Sequence, residues 1–366
     1  MKPVKFIGKD RTEFAATLRR NVNNYFRENN ISMKGNGTLF LKTAILFALY
    51  IVPFILILTI PMSGITALLL CAVIAIGMSG IGMSVMHDGG HGAYSDKKWV
   101  NRIMAKTMYI LGGCVFNWNM QHNIMHHTFT NILGYDEDIE PRAVIRLSPH
   151  APALKFQRFQ HIYALLLYGM MSLSLVTKDF RQLWLYYKKG VLKQQNAEPV
   201  AEFLTLFATK VLYLFTAIVL PILLTDFSWW QVLIGFLLMH FISGVIMSTI
   251  FQMAHIVEGA DQPLPNVEGN IDNEWVIHQL YTTSNFARNN SLLNWFIGGL
   301  NFQIEHHLFP NISHVHYPAI APIVEKTALE FGLPYNMKPT FFGALKSHLR
   351  TLKEFGEIKT PSGIPT

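Results

Sequence analysis

Long uncharged stretches, each ended by a short polar break, set the organisation of this chain. Residues 43–60 (TAILFALYIVPFILILTI) and 64–86 (GITALLLCAVIAIGMSGIGMSVM) carry no charged side chain and are separated only by Pro61, Met62 and Ser63. At ~1.5 Å per residue an 18-residue helix covers roughly 27 Å, close to the thickness of a bilayer's hydrocarbon core. Each run therefore predicts a transmembrane helix, and the break between them a tight hairpin. Residues 203–225 and 227–254, divided by Asp226, predict a second hairpin. Pro53 and Pro221 lie inside these runs and predict kinks, which lipid tolerates when neighbouring helices satisfy the freed carbonyls. The expected fold is an all-α integral membrane protein with four transmembrane helices in two hairpins and a helical cap outside the bilayer. Along the chain this gives an N-terminal segment 1–42, a membrane domain 43–330 and a tail 331–366, expected to be loose from about residue 355.

Charge orients these elements. Of 30 Lys and Arg residues, nine precede residue 43, thirteen lie in 87–202, one is Lys210 and seven follow residue 255, while the two hairpin turns have none. By the positive-inside rule both termini and the whole cap face the cytosol. The same asymmetry demotes the shorter apolar runs 107–116 and 161–177, since either one crossing alone would strand a basic region outside. Both are read as interfacial or buried helices, although the two crossing together as a hairpin would preserve the orientation. An apolar content of 51%, a charged content of 14% and a mean hydropathy of +0.26 belong to the membrane class. The net charge of +7 suits anionic headgroups, and because the basic residues are dispersed rather than clustered, nucleic acid is not an expected partner. Cys71 and Cys114 sit in apolar surroundings, which argues against a disulfide framework. No removable leader is expected, because no basic cap runs into an apolar core with a small-residue cleavage site.

The histidines are distributed unevenly. His87 and His91 (HDGGH) follow the second run, His122, His126 and His127 (QHNIMHH) lie in the middle region, His255 follows the fourth run, and His306 and His307 (QIEHH) come later. Positions i and i+4 share a helix face, so His87 with His91, His122 with His126, and Gln303 with His307 each aim at one point. A lone HxxxH pair is more often an interface feature than a metal site. Three clusters plus His255, all on one predicted side of the membrane, favour a metal. Eight imidazoles exceed the about four to six positions of one ion, so two ions are implied. Imidazole suits zinc, copper, iron and nickel alike, and the Glu-x-x-His pairs of soluble di-iron bundles are missing, so the residues alone leave the metal open.

Asp88, Asp136, Asp138, Glu258 and Glu305 flank these positions and are candidates to accept a ligand's second ring hydrogen, against the plainer reading of solvated carboxylates. His314 and His316 are candidates for the same supporting layer. His240, inside the fourth run, is expected to be a hydrogen-bonded intramembrane polar residue. His150, His161, His278 and His348 default to packing or surface roles. The stretch GMSGIGMS (77–84) either makes room for an acyl chain or lets helices pack closely.

HDGGH (87–91), HNIMHH (122–127) and QIEHH (303–307) resemble the three histidine boxes of the membrane fatty acid desaturases. The likeness continues through HHTFTNILGYDEDIE (126–140) and NWFIGGLNFQIEHHLFPNISHVHYPAIAPIV (294–324) and covers roughly residues 40–330. Gln303, standing for the first histidine of the third box, is similar to the front-end branch, which includes delta-5, delta-6 and linoleoyl-CoA desaturases and some sphingolipid desaturases. The resemblance implies two iron ions and O2 as co-substrate, with two external electrons used to insert a cis double bond into a fatty acyl-CoA or acyl-lipid. It implies His87, His91, His122, His126, His127, His306 and His307 as metal ligands, with His255 matching an extra histidine. Gln303 then either coordinates weakly, holds a water or supports a ligand from behind.

In relatives with a saturated stearoyl-type substrate, an asparagine four residues before that extra histidine acts through water. Here the position is Phe251, with Gln252 next to it. The HPGG haem motif of a fused cytochrome b5 is not found, so a ferredoxin or cytochrome b5-like donor is expected. Trp275, Asn285, Arg288 and Asn289 are candidates for the substrate headgroup. An unactivated methylene has no acidic proton and no carbonyl to polarise, so the oxidant must come from metal and oxygen. Two other readings stand beside this one: a di-iron hydroxylase or ketolase on the same scaffold, and a metal transporter, which would place ligands inside the spans, where only His240 lies.

Overall fold

A computed structural model describes residues 4–8 and 13–357 of the chain. They fall into two compact units: Met1–Gly35, Gln121–Ala164 and Thr249–Thr366 form the first, and Asn36–Met120 with Leu165–Ser248 the second. The expected all-α class is observed, with four helices among the described residues long and apolar enough to cross a membrane, Gly37–Thr59, Gly64–Gly90, Pro199–Leu224 and Trp229–His255, and a bent pair, Lys155–Tyr168 with Met170–Lys188, that is so only when taken together. The first of these begins at Gly37 rather than at residue 43, because Asn36 caps it by accepting hydrogen bonds from the Thr38 and Leu39 amides at 3.0 and 3.3 Å. Lys42 is thereby enclosed in the span, 2% exposed and within electrostatic reach of Asp88. Ser63 caps the next span by accepting from the Thr66 amide at 3.1 Å.

In the second unit, small residues decide how the spans pack. A Cβ on Gly77 would lie 2.7 Å from the Tyr50 backbone nitrogen, and one on Gly80 2.4 Å from Leu46 Cδ2. The GMSGIGMS stretch therefore serves close helix packing. From its second half the chain is wound with i→i+5 hydrogen bonding over Ile81–Met86, and the span continues past residue 86 to Gly90. The apolar run 161–177 falls on the helices Gln160–Tyr168 and Met170–Lys188, which are bent by 78° at Gly169. There the Phe241 ring would stand 2.2 Å from an added Cβ, and the Gly169 carbonyl approaches the Cβ position of Gly244 to 2.6 Å. Residues 107–111 form a single 3₁₀ turn.

Several polar groups buried in this unit are paired. His240 sits between Ser172 Oγ, 2.7 Å from Nδ1, and Tyr213 OH, 2.6 Å from Nε2, the internal hydrogen-bonded role expected for it. The Lys210 ammonium donates to Asp179 at 2.6 Å, to the Leu175 carbonyl at 2.7 Å and to the Gly112 carbonyl. Asn117 donates to the other Asp179 carboxylate oxygen at 3.1 Å. Cys71 and Cys114 are free thiols.

The first unit is built on an amphipathic helix, Phe14–Glu28, whose Phe14, Leu18, Val22 and Phe26 recur every fourth position and are buried. They share a core with Ile320, Ala321 and Val324 of the helix Tyr317–Glu330 and with Val276 and Leu280 of Trp275–Thr282. Two-residue parallel strand pairs, Lys5–Phe6 with Asn270–Ile271 and Asn285–Phe286 with Met337–Lys338, tie distant segments together. The C-terminal part holds a helix, Phe341–Glu357. Leu352 O accepts from Gln160 Nε2 at 2.6 Å, Phe355 O accepts from Arg146, and His348 Nδ1–H donates to Ile256 O at 2.7 Å. The expected loose tail thus begins inside this helix's last turn, and its remainder, 358–366, lies outside the described residues.

Replacing Lys210 by Met leaves the Asp179 charge buried without its cation, with an expected cost on the order of 3–5 kcal/mol. The double variant Lys210→Met/Asp179→Leu should recover most of it, as read by thermal melting in detergent. Burial pushes His348 down to about 4, against the pull of its bond to Ile256 O. The folded state thus holds this ring neutral while the unfolded chain takes a proton near the ordinary 6.5. Its contribution to stability is complete above pH 6.5 and is lost as pH falls towards 4. His348→Asn, whose amide can donate at the same place without titrating, should flatten the melting temperature across that window.

Candidate metal centre

Six of the eight expected ligands are brought together in the first unit. His122 and His126 lie on the segment Asn119–His126, wound with i→i+5 bonding, and His127 opens the turn that follows. His255 is the last residue of the fourth span, and His306 and His307 lie on the helix Gln303–Leu308. Ring centroids are 4.6 Å apart for His126 and His255, 4.9 Å for His126 and His307, 4.4 Å for His127 and His307, 4.6 Å for His127 and His306, and 4.8 Å for His122 and His127. In His126, His255 and His307, and again in His127, His306 and His307, one ligand nitrogen per ring lies within 4.8 Å of the others. His307 cannot serve both groups, because its Nδ1 is occupied by Gln279 Oε1 at 2.8 Å.

The donor set fits a metal. His126 Nδ1–H donates to Asp136 Oδ2 at 3.0 Å, and His255 Nδ1–H points to Thr282 O at 3.4 Å. Each of these rings, with His307, thus turns its Nε2 inward, and the three Nε2 atoms are buried with no hydrogen-bond partner among the described residues. A buried polar atom left unpaired costs roughly 1–3 kcal/mol, so three of them facing one another are accounted for by a shared cation. Burial lowers the pKa of His126, but the Asp136 charge and hydrogen bond, helped by Asp138, more than offset it and raise the ring above its ordinary value. Asp136 is correspondingly held low. His307 is pushed far down by burial and by the imidazoles around it, which leaves it neutral and able to ligate.

His87 and His91 lie in the second unit at the end of the span Gly64–Gly90, with ring centroids 4.7 Å apart and the Trp118 ring edge-on to both at 6.0 and 5.8 Å. Their box needs its glycines. A Cβ on Gly90 would stand 2.2 Å from Trp118, and one on Gly89 2.6 Å from Met104 Cβ.

The supporting residues divide. Asp138 accepts from Gln121 at 2.5 Å and lies 3.5 Å from His126 Nδ1. Glu305, pushed up by burial, accepts instead from Asn285 and Tyr335, both at 2.8 Å. Glu258 accepts from Ser347 at 2.9 Å on the C-terminal helix. His316 donates to Lys34 O at 3.0 Å. Gln303 Nε2 donates to Leu300 O at 2.8 Å, which turns its Oε1 towards the His255 ring, short of hydrogen-bonding geometry. Gln252, one turn before His255, is buried with its Oε1 unpartnered among the described residues.

Three of the four headgroup candidates are engaged internally, while Asn289 is exposed. Trp275 Nε1–H donates to His127 O at 3.1 Å, Asn285 holds Glu305, and Arg288 donates to Glu325 and Tyr335 at 2.9 and 2.7 Å. Residues with no local sequence signal do much of the bracing. Asn131, in the left-handed conformation at φ 60°, donates from its amide to His255 O at 2.9 Å and to the carbonyls of Asp261 and Thr282. Gln279 joins two of the boxes.

A family model of fatty acid desaturases matches residues 63–339. An sn-1 linoleoyl-lipid 6-desaturase of Synechocystis sp. is 37% identical over 94% of this chain and 96% of its own. Another from Arthrospira platensis is 35% identical over 93% of this chain and 92% of its own. An acyl-lipid (8-3)-desaturase of Physcomitrium patens is 33% identical over 96% of this chain and 74% of its own. Matched along nearly its whole length and carrying a buried cluster of inward-turned imidazoles, the chain belongs to the fatty acid desaturase family, oxidoreductases that place double bonds in acyl chains.

Proposed function

We propose that this desaturase is a front-end acyl-lipid enzyme that inserts a cis double bond, at the delta-6 position of a linoleoyl chain, within a membrane glycerolipid. The names of its Synechocystis and Arthrospira relatives support this reading, as does Gln303 in the third box. The overall change is balanced by O2, two electrons and two protons: two C–H bonds on neighbouring methylenes are lost, a C=C bond forms and two waters leave. A pair of iron ions, when bound, supplies the oxidising power that no side chain has. We assign it His87, His91, His122, His126, His127, His255, His306 and His307, with the three unpartnered Nε2 atoms as the observation that carries the assignment.

The chain's own share is placement and dryness. Asp136 and the Thr282 carbonyl hold ring hydrogens on Nδ1 of His126 and His255, so the lone pairs on Nε2 are left free and would hold an ion. Close positioning then matters because a shift of ~1 Å in the reacting carbons costs on the order of 100-fold in rate. Electrons come from a separate ferredoxin or cytochrome b5-like protein, and the positive-inside pattern supports a cytosolic location for the site, both termini and that donor.

Expressing the chain in a host without polyunsaturated lipids, feeding linoleate and mapping double bonds in the lipids by mass spectrometry should show a product two hydrogens lighter, unsaturated at carbon 6 and esterified to glycerolipid. A product heavier by one oxygen would make the enzyme a hydroxylase, and His126→Ala should abolish the product. Asp136→Asn should lower metal affinity about 10–100-fold, measured by chelator competition on the purified protein, because the amide weakens the grip on the His126 tautomer.

A further inference from the structure

We infer that Gln279, a residue outside the three histidine boxes, is a positioning residue that sets the tautomer and donor strength of His307; this deepens, and rests on, the metal-centre reading above. Gln279 lies on the helix Trp275–Thr282 and is fully buried. Its carboxamide has one polar group at each end. Nε2 donates to the His127 backbone carbonyl at 3.3 Å, while Oε1 lies 2.8 Å from His307 Nδ1 and 2.9 Å from the Thr130 hydroxyl. The amide cannot be reversed. The His127 carbonyl already accepts from Trp275 Nε1–H at 3.1 Å, so it is a fixed acceptor, and a turned amide would set oxygen against oxygen. Hence Oε1 faces His307, the hydrogen of that ring sits on Nδ1, and the lone pair sits on Nε2, inside the cluster with no hydrogen-bond partner among the described residues. Thr130, whose hydroxyl lies 2.7 Å from His126 O and, farther than Gln279 Oε1, 3.2 Å from His307 Nδ1, ties the same node to the second box. One carboxamide thus transmits the backbone position of HNIMHH to the ring orientation of QIEHH.

The partner's chemistry differs from ring to ring. His126 leans on the carboxylate of Asp136, His255 on a backbone carbonyl and His307 on a neutral amide. A carboxylate behind a ligating imidazole raises its basicity more than a neutral oxygen does. The structure therefore assigns Gln279 a tuning role: it orders His307 without making it as strong a donor as His126.

The test uses the purified full-length metal-free chain with Co2+ alone as probe, following affinity by titration and the ligand environment by the ligand-field absorption of bound cobalt. Gln279→Met, close in size, should weaken Co2+ binding about 10–100-fold. Gln279→Glu should restore tight binding but shift the absorption band, since the oxygen behind His307 becomes charged. Wild-type affinity and an unshifted spectrum in a folded Gln279→Met protein would overturn the inference. Should that variant fail to fold, an unshifted band in Gln279→Glu overturns it equally. His307→Ala separates the two levels: if it loses Co2+ while both Gln279 variants behave as wild type, only the role of Gln279 fails, whereas Co2+ binding unaffected in His307→Ala removes the metal-centre reading and this inference with it.

Discussion

The structure depends on one constraint: a ring nitrogen taken out of water must have a partner. His126, His255 and His307 each use one nitrogen on a neighbour and bury the other facing its counterparts. Such an arrangement is costly unless a cation completes it. Much of the surrounding polar framework in the first unit exists to settle which nitrogen is which. Asp136 and Gln279 are side chains that hold a ring hydrogen, while Asn131 holds the backbone at His255 and Trp275 the backbone at His127. Asp136 and Gln279 are thus engaged in orienting these rings rather than in acid–base chemistry, as suits a reaction on an unactivated hydrocarbon.

The membrane helices serve the same end. The last turn of the fourth span places His255, so its depth is set by the packing of a 27-residue helix. The second span carries His87 on its last turn and ends just before His91, and there the helix changes its winding just ahead of His87, as helices often do at functional sites. Glycine provides the clearance: Gly77 and Gly80 let the first and second spans touch, and Gly89 and Gly90 let Met104 and Trp118 sit against the box itself. Buried charge is handled in the second unit by Asp179 taking the Lys210 ammonium.

Four spans, the histidine boxes and the membrane class were legible in the chain because each is a local property. A hydrophobic run of the right length is enough to name a span, and HxxxH spacing is enough to align two rings. The limits of that locality are visible in the first span, where a cap at Asn36 drew Lys42 inside, and in the apolar run 161–177, which is broken at Gly169. Hydropathy averages over such single-residue events.

The amino-acid sequence by itself determined which elements form and which residues can bind a metal, since both follow from periodicity and side-chain type. Only the tertiary structure decided what each polar residue near the site is for. Glu305 and Glu258 looked equivalent to Asp136 in their closeness to the boxes, yet they bond to Tyr335 and Ser347 while Asp136 takes the His126 ring hydrogen at 3.0 Å, and the headgroup candidates Asn285 and Arg288 turn to Glu305 and Glu325. Gln279 carried no signal, being a single glutamine on a short helix. Hydrogen bonds act over about 3 Å in space, and partners such as Thr130 and Gln279 are 149 positions apart along the chain, so no local pattern can record them.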